Sequence, residues 1–483
     1  MPVEYGTVIT TFDGPSTRKF AFVINDKNSP VRRGQYVAVA VPDGMLIARV
    51  ADVLKTNRYF SRPESVSEFE KSGRMETIFP VAEWECLIAE AEALGVFADN
   101  GFRDCTFPPS PGSRILEPEP LMLQQFFGLD PAGVHLGSLS QHRLDVRLGL
   151  DRLLKKHVAI LGMSGSGKSW LTAVVIEELL KRANGKLAIV VLDVHGEYSG
   201  LAEDATYGGQ VRVFPAHELR IGVSELSPWR IADYAGLSGV QTRELSRAMD
   251  RLAAGFDLND LIRVIEGNKE LGASTRDAMA SSLEDLKRVG VFGAVDKPGL
   301  DALAVPGQLT VLDFSQMISM RAKQFLVAHI ADQLFNARRH GVVPPFTLVV
   351  EEAHQFIPEK AEKKLTPARG ILQTIAREGR KFHASLCLIS QRPKQLSTTV
   401  LSQSNTNIIL RITNPYDLKH ISESSEGITR DVQDQIATLP VGTALVLGEA
   451  TNYPLFLRVR RRESHLVHKD IGLEQASEQW QEK

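Results

Sequence analysis

The chain has few cysteines, no long apolar run and no surplus of either charge, and each absence removes a class of protein. Only three of its 483 residues are cysteine (Cys86, Cys105 and Cys387), without the close pairing that a zinc site needs. So sparse a set argues against a disulfide-stapled secreted domain and suits a reducing cytoplasm. No stretch approaches the roughly 18 consecutive apolar residues of a membrane-spanning helix. The opening Met1-Pro-Val-Glu-Tyr-Gly6 lacks the basic-then-apolar layout of a secretory leader. No membrane association is expected. Lys and Arg number 56 against 58 Asp and Glu, so the overall basic footprint of a protein that coats nucleic acid is missing. That balance leaves room for a ring whose basic residues line one channel.

What is present is a globular composition, 43% hydrophobic, in a chain long enough for two or three domains at about 150 residues each. Up to about residue 150 the pattern is β-rich. Short β-branched runs at Tyr5–Thr10, Lys19–Ile24, Tyr36–Val41 and Leu46–Val53 are punctuated by glycine and proline, which predicts a small barrel. A helix is expected over Glu64–Gly73 and a strand over Met75–Ala91. Leu136–Leu139 and Leu144–Leu148 are expected to close the barrel. From residue 151 to 465 apolar strands alternate with helices, the pattern of an α/β core with a parallel-rich sheet. A helical insertion is expected at 218–300, and a polar, loosely held tail at 466–483.

The core opens with a complete phosphate-binding pattern, Gly162-Met-Ser-Gly-Ser-Gly-Lys168-Ser169. It lies between an apolar strand, His157–Leu161, and a helix beginning near Trp170. Glycines let backbone N–H groups curl around a phosphate, and the helix N-terminus adds positive potential. Lys168 then reaches the β/γ-phosphates of ATP and the Ser169 hydroxyl ligates Mg²⁺. Gly162, Ser164, Gly165, Ser166, Gly167, Lys168, Ser169 and Trp170 form the expected nucleotide-binding set.

Further along, Phe346–Val350 delivers Glu351 and Glu352 to the ligand edge of the sheet. Glu351 suits Mg²⁺, directly or through water, and Glu352 suits the base that orients attacking water. Asp193, in Asp193-Val-His195-Gly-Glu197-Tyr198, ends another core strand. It supports the metal or water, or else caps an ordinary turn. Arg377 and Arg380 end a helix, where cations complement its dipole. The alternative is an arginine finger, with Arg380 favoured over Arg377; acting in trans, it requires a neighbouring subunit. Gln391 follows the strand Ala384–Ile389 and suits a γ-phosphate sensor. Lys360, Lys363, Lys364 and Lys394 fit a DNA phosphate backbone, or are simply solvated surface.

Taken together, Gly162–Ser169, Asp193–Tyr198, Val350-Glu-Glu-Ala-His354, Ala376-Arg-Glu-Gly-Arg-Lys-Phe382 and Ser390-Gln-Arg-Pro-Lys394 resemble the HerA family of the HerA/FtsK superfamily. The stretches Leu401–Leu410 and Asp417–Ser425 extend the likeness. The resemblance implies a RecA-like P-loop NTPase core behind an N-terminal HAS-barrel. It implies a homo-hexameric ring that moves double-stranded DNA with ATP and Mg²⁺, and a nuclease of NurA type or a defence effector docked on the barrel face. It carries Lys168 and Ser169 over as nucleotide and metal contacts, Glu352 as catalytic glutamate, Arg380 as finger and Gln391 as sensor. From the same pattern Lys156 and the Tyr453-Pro454 region are nucleotide contacts. Met163-Ser164 stands where threonine often precedes Gly-Ser-Gly, and neither position supplies a required side chain. The alternative readings are a ring scaffold or switch that regulates an effector, and a pump at a membrane, for which the chain offers no anchor.

Overall fold

Alternating apolar residues in the first part of the chain build a barrel. The computed structural model describes the chain apart from residues 1–2, 12–13, 26–30, 58–59, 61, 72–73, 75–80, 99–100, 361–365, 426–427, 465–476 and 479–483. The chain separates into two compact units, the first formed by 1–133, 137–148 and 451–458, the second by the remainder. In the first, strands β1 (Glu4–Ile9), β2 (Lys19–Ile24), β3 (Tyr36–Val41), β4 (Gly44–Asn57), β5 (Glu85–Ala98), β6 (Gly101–Arg103) and β7 (Arg114–Leu116) pair in the order β2-β1-β7-β3-β4-β5-β6. A β2–β5 pairing closes six of them into a ring. Every second residue points inward, so Val37 and Val39, Leu46, Ala48 and Val50, and Ala89 and Ala91 fill the interior.

Closure comes from the length and coiling of β4 and β5. Register shifts at Ile47/Ala48 and Val50/Asp52 are bulges, which sharpen strand twist. The far part of β5, still paired with β4 on one edge, thereby offers its other edge to β2, where Ile88–Glu92 pair with Lys19–Val23. The expected closing segments take no part. They form β8 (Val134–Leu139) and β9 (Asp145–Leu148), which run beside β20 (Leu455–Val459), outside the ring. The helix expected over 64–73 spans Pro63–Phe69, and the strand expected from Met75 begins at Glu85; 75–80 lie outside the described residues.

In the second unit β10 (Val158–Leu161), β11 (Ala188–Asp193), β12 (Val211–Pro215), β15 (Leu309–Asp313), β16 (Phe346–Val350), β17 (Ala384–Ser390), β18 (Thr406–Ile409) and β19 (Thr443–Gly448) line up as β12-β15-β11-β16-β17-β10-β18-β19. Pairing is parallel from β12 to β18, and β19 runs antiparallel to β18. β10, β11, β16 and β17 are buried at every residue. This is why they read as unbroken apolar runs: a parallel sheet is covered on both faces. Between β12 and β15 lie the helices Pro228–Ala235, Gly239–Met249, Leu258–Gly267 and Ala273–Lys287. Two of these begin with capping boxes, Ser238/Gln241 and Asp257/Asp260. A two-residue parallel pair, β13 (Ile221–Gly222) with β14 (Phe292–Gly293), also belongs here. No helix of the described residues is long and apolar enough to cross a membrane.

His157 anchors the start of β10. Its Nδ1 accepts from the Leu386 N–H at 2.9 Å while Nε2 lies 2.9 Å from the Ala376 carbonyl, a neutral ring donating from Nε2. Burial pushes its pKa down to about 4. The folded value lies below the unfolded one, so this contribution to stability is present above about pH 6.5 and lost as pH falls toward 4. The melting temperature is expected to drop across that window. In His157→Gln, proton uptake on unfolding near pH 5 should fall by about one proton. Calorimetry over a pH series measures this, and an unchanged slope would remove the assignment.

Candidate nucleotide site

Parallel register brings the C-terminal ends of five strands to one edge. Leu161 sits level with Ser390, Leu192 with Val350, and Asp193 with Asp313. The phosphate loop, the two glutamates, Gln391 and the turn after Asp193 all leave from there.

The loop departs β10 at Gly162, where an added Cβ would lie 2.6 Å from Ser166 Oγ and 3.0 Å from Leu410 Cβ. Gly167, at φ 102°, is the left-handed residue from which the helix Lys168–Leu180 starts. No side chain caps that helix, which leaves its first N–H groups available to an anion. Lys168 Nζ and Ser166 Oγ both donate to the Met163 carbonyl, at 3.0 and 2.8 Å. Ser164 and Gly165 form the exposed rim of the loop, and Ser169 lies in the first helical turn. Burial lowers the Lys168 pKa, opposed by the charges of Glu352, Glu197 and Glu351.

The adjacent glutamates do different things. Glu351 Oε2 accepts from the Val194 N–H at 2.6 Å and the His195 N–H at 3.1 Å. Burial, then the Asp193 and Glu197 charges, pushes its pKa up to about 9. Glu352 has φ 48°, a left-handed conformation unusual outside glycine, which turns its side chain away from its neighbour's. Burial raises its pKa, while Lys168, His195 and a hydrogen bond with Gln391 lower it. His195 Nε2 lies 3.6 Å from Oε1 and His354 Nδ1 3.1 Å from Oε2. That approach is not aligned for donation, and buried Oε2 has no hydrogen bond among the described residues. Burial drives the His354 pKa down to about 4, so its ring is neutral and bonds Ser390 Oγ at 3.2 Å.

Asp193 caps its turn. Oδ1 accepts from Gly196 N–H at 2.7 Å and Glu197 N–H at 3.1 Å, and Oδ2 from Tyr198 N–H at 2.9 Å. The geometry matches the capped-turn alternative, because a carboxylate with three backbone donors is committed to them. Glu351 pins the same turn from the next strand. No cage of three or more His, Cys, Asp and Glu side chains exists among the described residues. Ser169 Oγ, in the first helical turn, would be the protein's hydroxyl donor to a nucleotide-bound Mg²⁺, an ion that takes few protein ligands. Glu351 already gives Oε2 to two backbone N–H groups.

The cations lie elsewhere. The helix Pro367–Glu378 ends at Gly379, where an added Cβ would be 2.3 Å from the Ala384 carbonyl and 3.3 Å from His157 Cε1. Arg377 and Arg380, both exposed, therefore stand where β10 and β17 begin, at the edge opposite the phosphate loop. The four residues of β10 alone separate those edges by about 13 Å. Lys156 is at that far edge too, ion-paired with Glu449. Neither Lys156 nor the arginines can meet phosphates on their own chain's loop. Tyr453 stacks on Phe126 in the first unit at 4.2 Å, a packing role. Lys394 Nζ sits 4.3 Å over the exposed Tyr416 ring, and Lys360 is exposed; Lys363 and Lys364 lie outside the described residues.

A segment expected near the loose tail is firmly held up to Ser464. Glu177, fully buried in the phosphate-loop helix, accepts from Ser464 N–H at 3.0 Å and Oγ at 2.6 Å, and pairs with Arg460 at 2.9 Å. The available signal was an acid inside the apolar run Val174-Val-Ile-Glu177, which demands a partner when buried.

Loop, glutamates and parallel sheet define a P-loop NTPase core joined to a β-barrel. A solved structure of VirB4 of Thermoanaerobacter pseudethanolicus shares that fold, with a TM-score of 0.53 at 14% identity over 69% of this chain and 98% of that one. The family model for the central domain of helicase HerA matches residues 134–334. The chain is 28% identical to the DNA double-strand break repair helicase HerA of Pyrococcus furiosus, over 92% of this chain and 90% of that one. With the HerA of Saccharolobus solfataricus the figures are 25%, 95% and 93%. The chain is thus similar to HerA helicases over most of its length, with a central part that matches the HerA central domain, and it is an ATPase of the helicase class.

Proposed function

We propose that the protein hydrolyses ATP to move double-stranded DNA through a ring of identical subunits. The phosphate loop and helix N-terminus bind the triphosphate, Lys168 neutralises its β/γ end, and Ser169 holds Mg²⁺. The ion bridges phosphate oxygens and offsets the charge that develops on them. Glu352 accepts a proton from the attacking water, since its Oε2 lacks a donor among the described residues and burial, opposed by the Lys168 charge, raises its basicity. Gln391, hydrogen-bonded to Glu352, senses the γ-phosphate and passes its loss to the loop carrying Lys394. Glu351 and Asp193 act by fixing the 194–198 turn.

The observation that carries the ring is the separation of Arg380 from its own loop. An exposed guanidinium at the opposite edge serves catalysis only in a neighbour's site. Such a head-to-tail contact is heterologous, and with a rotation that closes it makes a ring. Six subunits, and a nuclease or other effector on the barrel, follow from the family likeness. The relatives' description as DNA double-strand break repair helicases supports DNA as the polymer, and Lys360 and Lys394 are its proposed contacts. The testing experiment is ATP hydrolysis with and without linear double-stranded DNA at two salt concentrations. Stimulation that weakens as salt rises is expected, since phosphate contacts release counterions. Turnover indifferent to DNA at both salts would instead support a ring that organises an effector.

A further inference from the structure

The phosphate loop has two flanks, and only one has been given a task. On the β16–β17 side stand Glu352 and Gln391, where the γ-phosphate must lie. On the other side of β10, beyond β18, the loop before β19 comes close: Gly442 N–H donates to Ser166 O at 3.4 Å, and the Gly442 carbonyl accepts from Val459 N–H at 2.8 Å. The strap Arg460–Ser464 continues from there along the phosphate-loop helix. It holds Trp170, the residue after Ser169, at two points. Trp170 Nε1 donates to the Arg460 carbonyl at 2.9 Å, and the buried Arg462 guanidinium lies 5.9 Å over its ring. Arg462 is itself bonded to Ser464 Oγ at 3.0 Å, and Ser464 to Glu177. So much fixing would be idle for a surface aromatic, yet the ring stays 37% exposed, with Val441 60% exposed on the adjacent loop.

A triphosphate whose γ end points to Glu352 must leave the loop on the opposite flank, past the first turn of the helix. We propose that Trp170, braced by the Arg460–Ser464 strap, is the wall against which the nucleoside of the bound triphosphate packs. This rests on the phosphate-loop reading and adds what that reading lacks: a surface that separates a nucleoside triphosphate from bare polyphosphate. The indole gives the base a pre-ordered apolar face, so stacking costs little ordering of the protein.

The test compares ATP with inorganic tripolyphosphate, binding of each measured by calorimetry to the full chain and to Trp170→Ala and Trp170→Phe. Trp170→Ala is expected to weaken ATP by roughly tenfold, the scale of one base–aromatic contact, and to leave tripolyphosphate unchanged. Trp170→Phe, which keeps an aromatic surface but loses the bond to Arg460, should retain most of the ATP affinity. Equal loss of both ligands in Trp170→Ala would overturn the proposal, because a distorted helix start weakens phosphate binding itself. Unchanged ATP binding in Trp170→Ala would overturn it too. Failure of the wild-type chain to bind tripolyphosphate would strike the phosphate-loop reading instead, a separate result.

Discussion

Arg380→Ala is expected to bind ATP with unchanged affinity and to hydrolyse it about a thousandfold more slowly. The affinity is preserved because the guanidinium stands at the edge away from its own phosphate loop, beyond the 3₁₀ turn at Gly379–Phe382. On the proposed arrangement in trans, the rate falls because charge developing on the γ-phosphoryl oxygens of the neighbour's ATP loses the Arg380 guanidinium. Mixing separates this from a folding defect. Lys168→Ala subunits cannot hold the triphosphate but still present Arg380; Arg380→Ala subunits do the reverse. Each preparation alone should be nearly inactive, and mixtures should recover part of the hydrolysis, greatest near equal proportions. Absence of recovery at every ratio would place the finger in cis, against the geometry, or elsewhere. Recovery with Arg377→Ala in place of Arg380→Ala, but not with Arg380→Ala, would reassign the role to Arg377.

Glu352→Gln should retain or tighten ATP binding and slow hydrolysis by about 10³-fold, the scale of a lost general base. Binding holds because the substitution removes a carboxylate whose charge opposes the incoming phosphates and partly neutralises Lys168. The amide keeps the side-chain volume, so the left-handed backbone at this position need not move. Glu351→Gln is the informative comparison. Its carboxyl is already pushed up to about 9, so the neutral amide preserves both acceptor bonds to Val194 and His195. A much smaller loss is expected there. Single-turnover measurements on both variants would decide; a larger effect at Glu351 would exchange the two roles.

Much of this arrangement was visible in the residues. The sheet strands announced themselves as unbroken apolar runs because both faces are covered, and the phosphate loop because only its glycines permit the turn. The motif order placed Glu352 and Gln391 on one edge without any coordinates. Three things were not legible, each for a physical reason. Barrel closure depends on a bulged pairing of β4 with β5, and bulges leave no pattern in a sequence read for alternation. The partition of Asp193, Glu351 and Glu352 into two turn-holders and one free acid is set by backbone N–H directions. Spacing alone gave Glu351 the metal and Glu352 the water, and left Asp193 open between metal or water and a capped turn. The strap on Glu177 is a long-range pairing, and a run of charged residues near the C-terminus looks like solvated surface until a buried acid is found beneath it.

One strand deserves a last consideration. β17 runs seven buried residues from Ala384 to Ser390, paired with β16 over Ala384–Leu388 and with β10 over Cys387–Ser390. Arg380 stands just before its start and Gln391 just after its end. With these in their proposed roles, the strand is a push-rod: the detector of one site and the trigger of the next are mounted on opposite tips of a single stiff element. A shift that ATP loss causes at one tip has little material in which to dissipate before it reaches the other. In a ring so built, the state of one site would bear directly on the cation offered to the next.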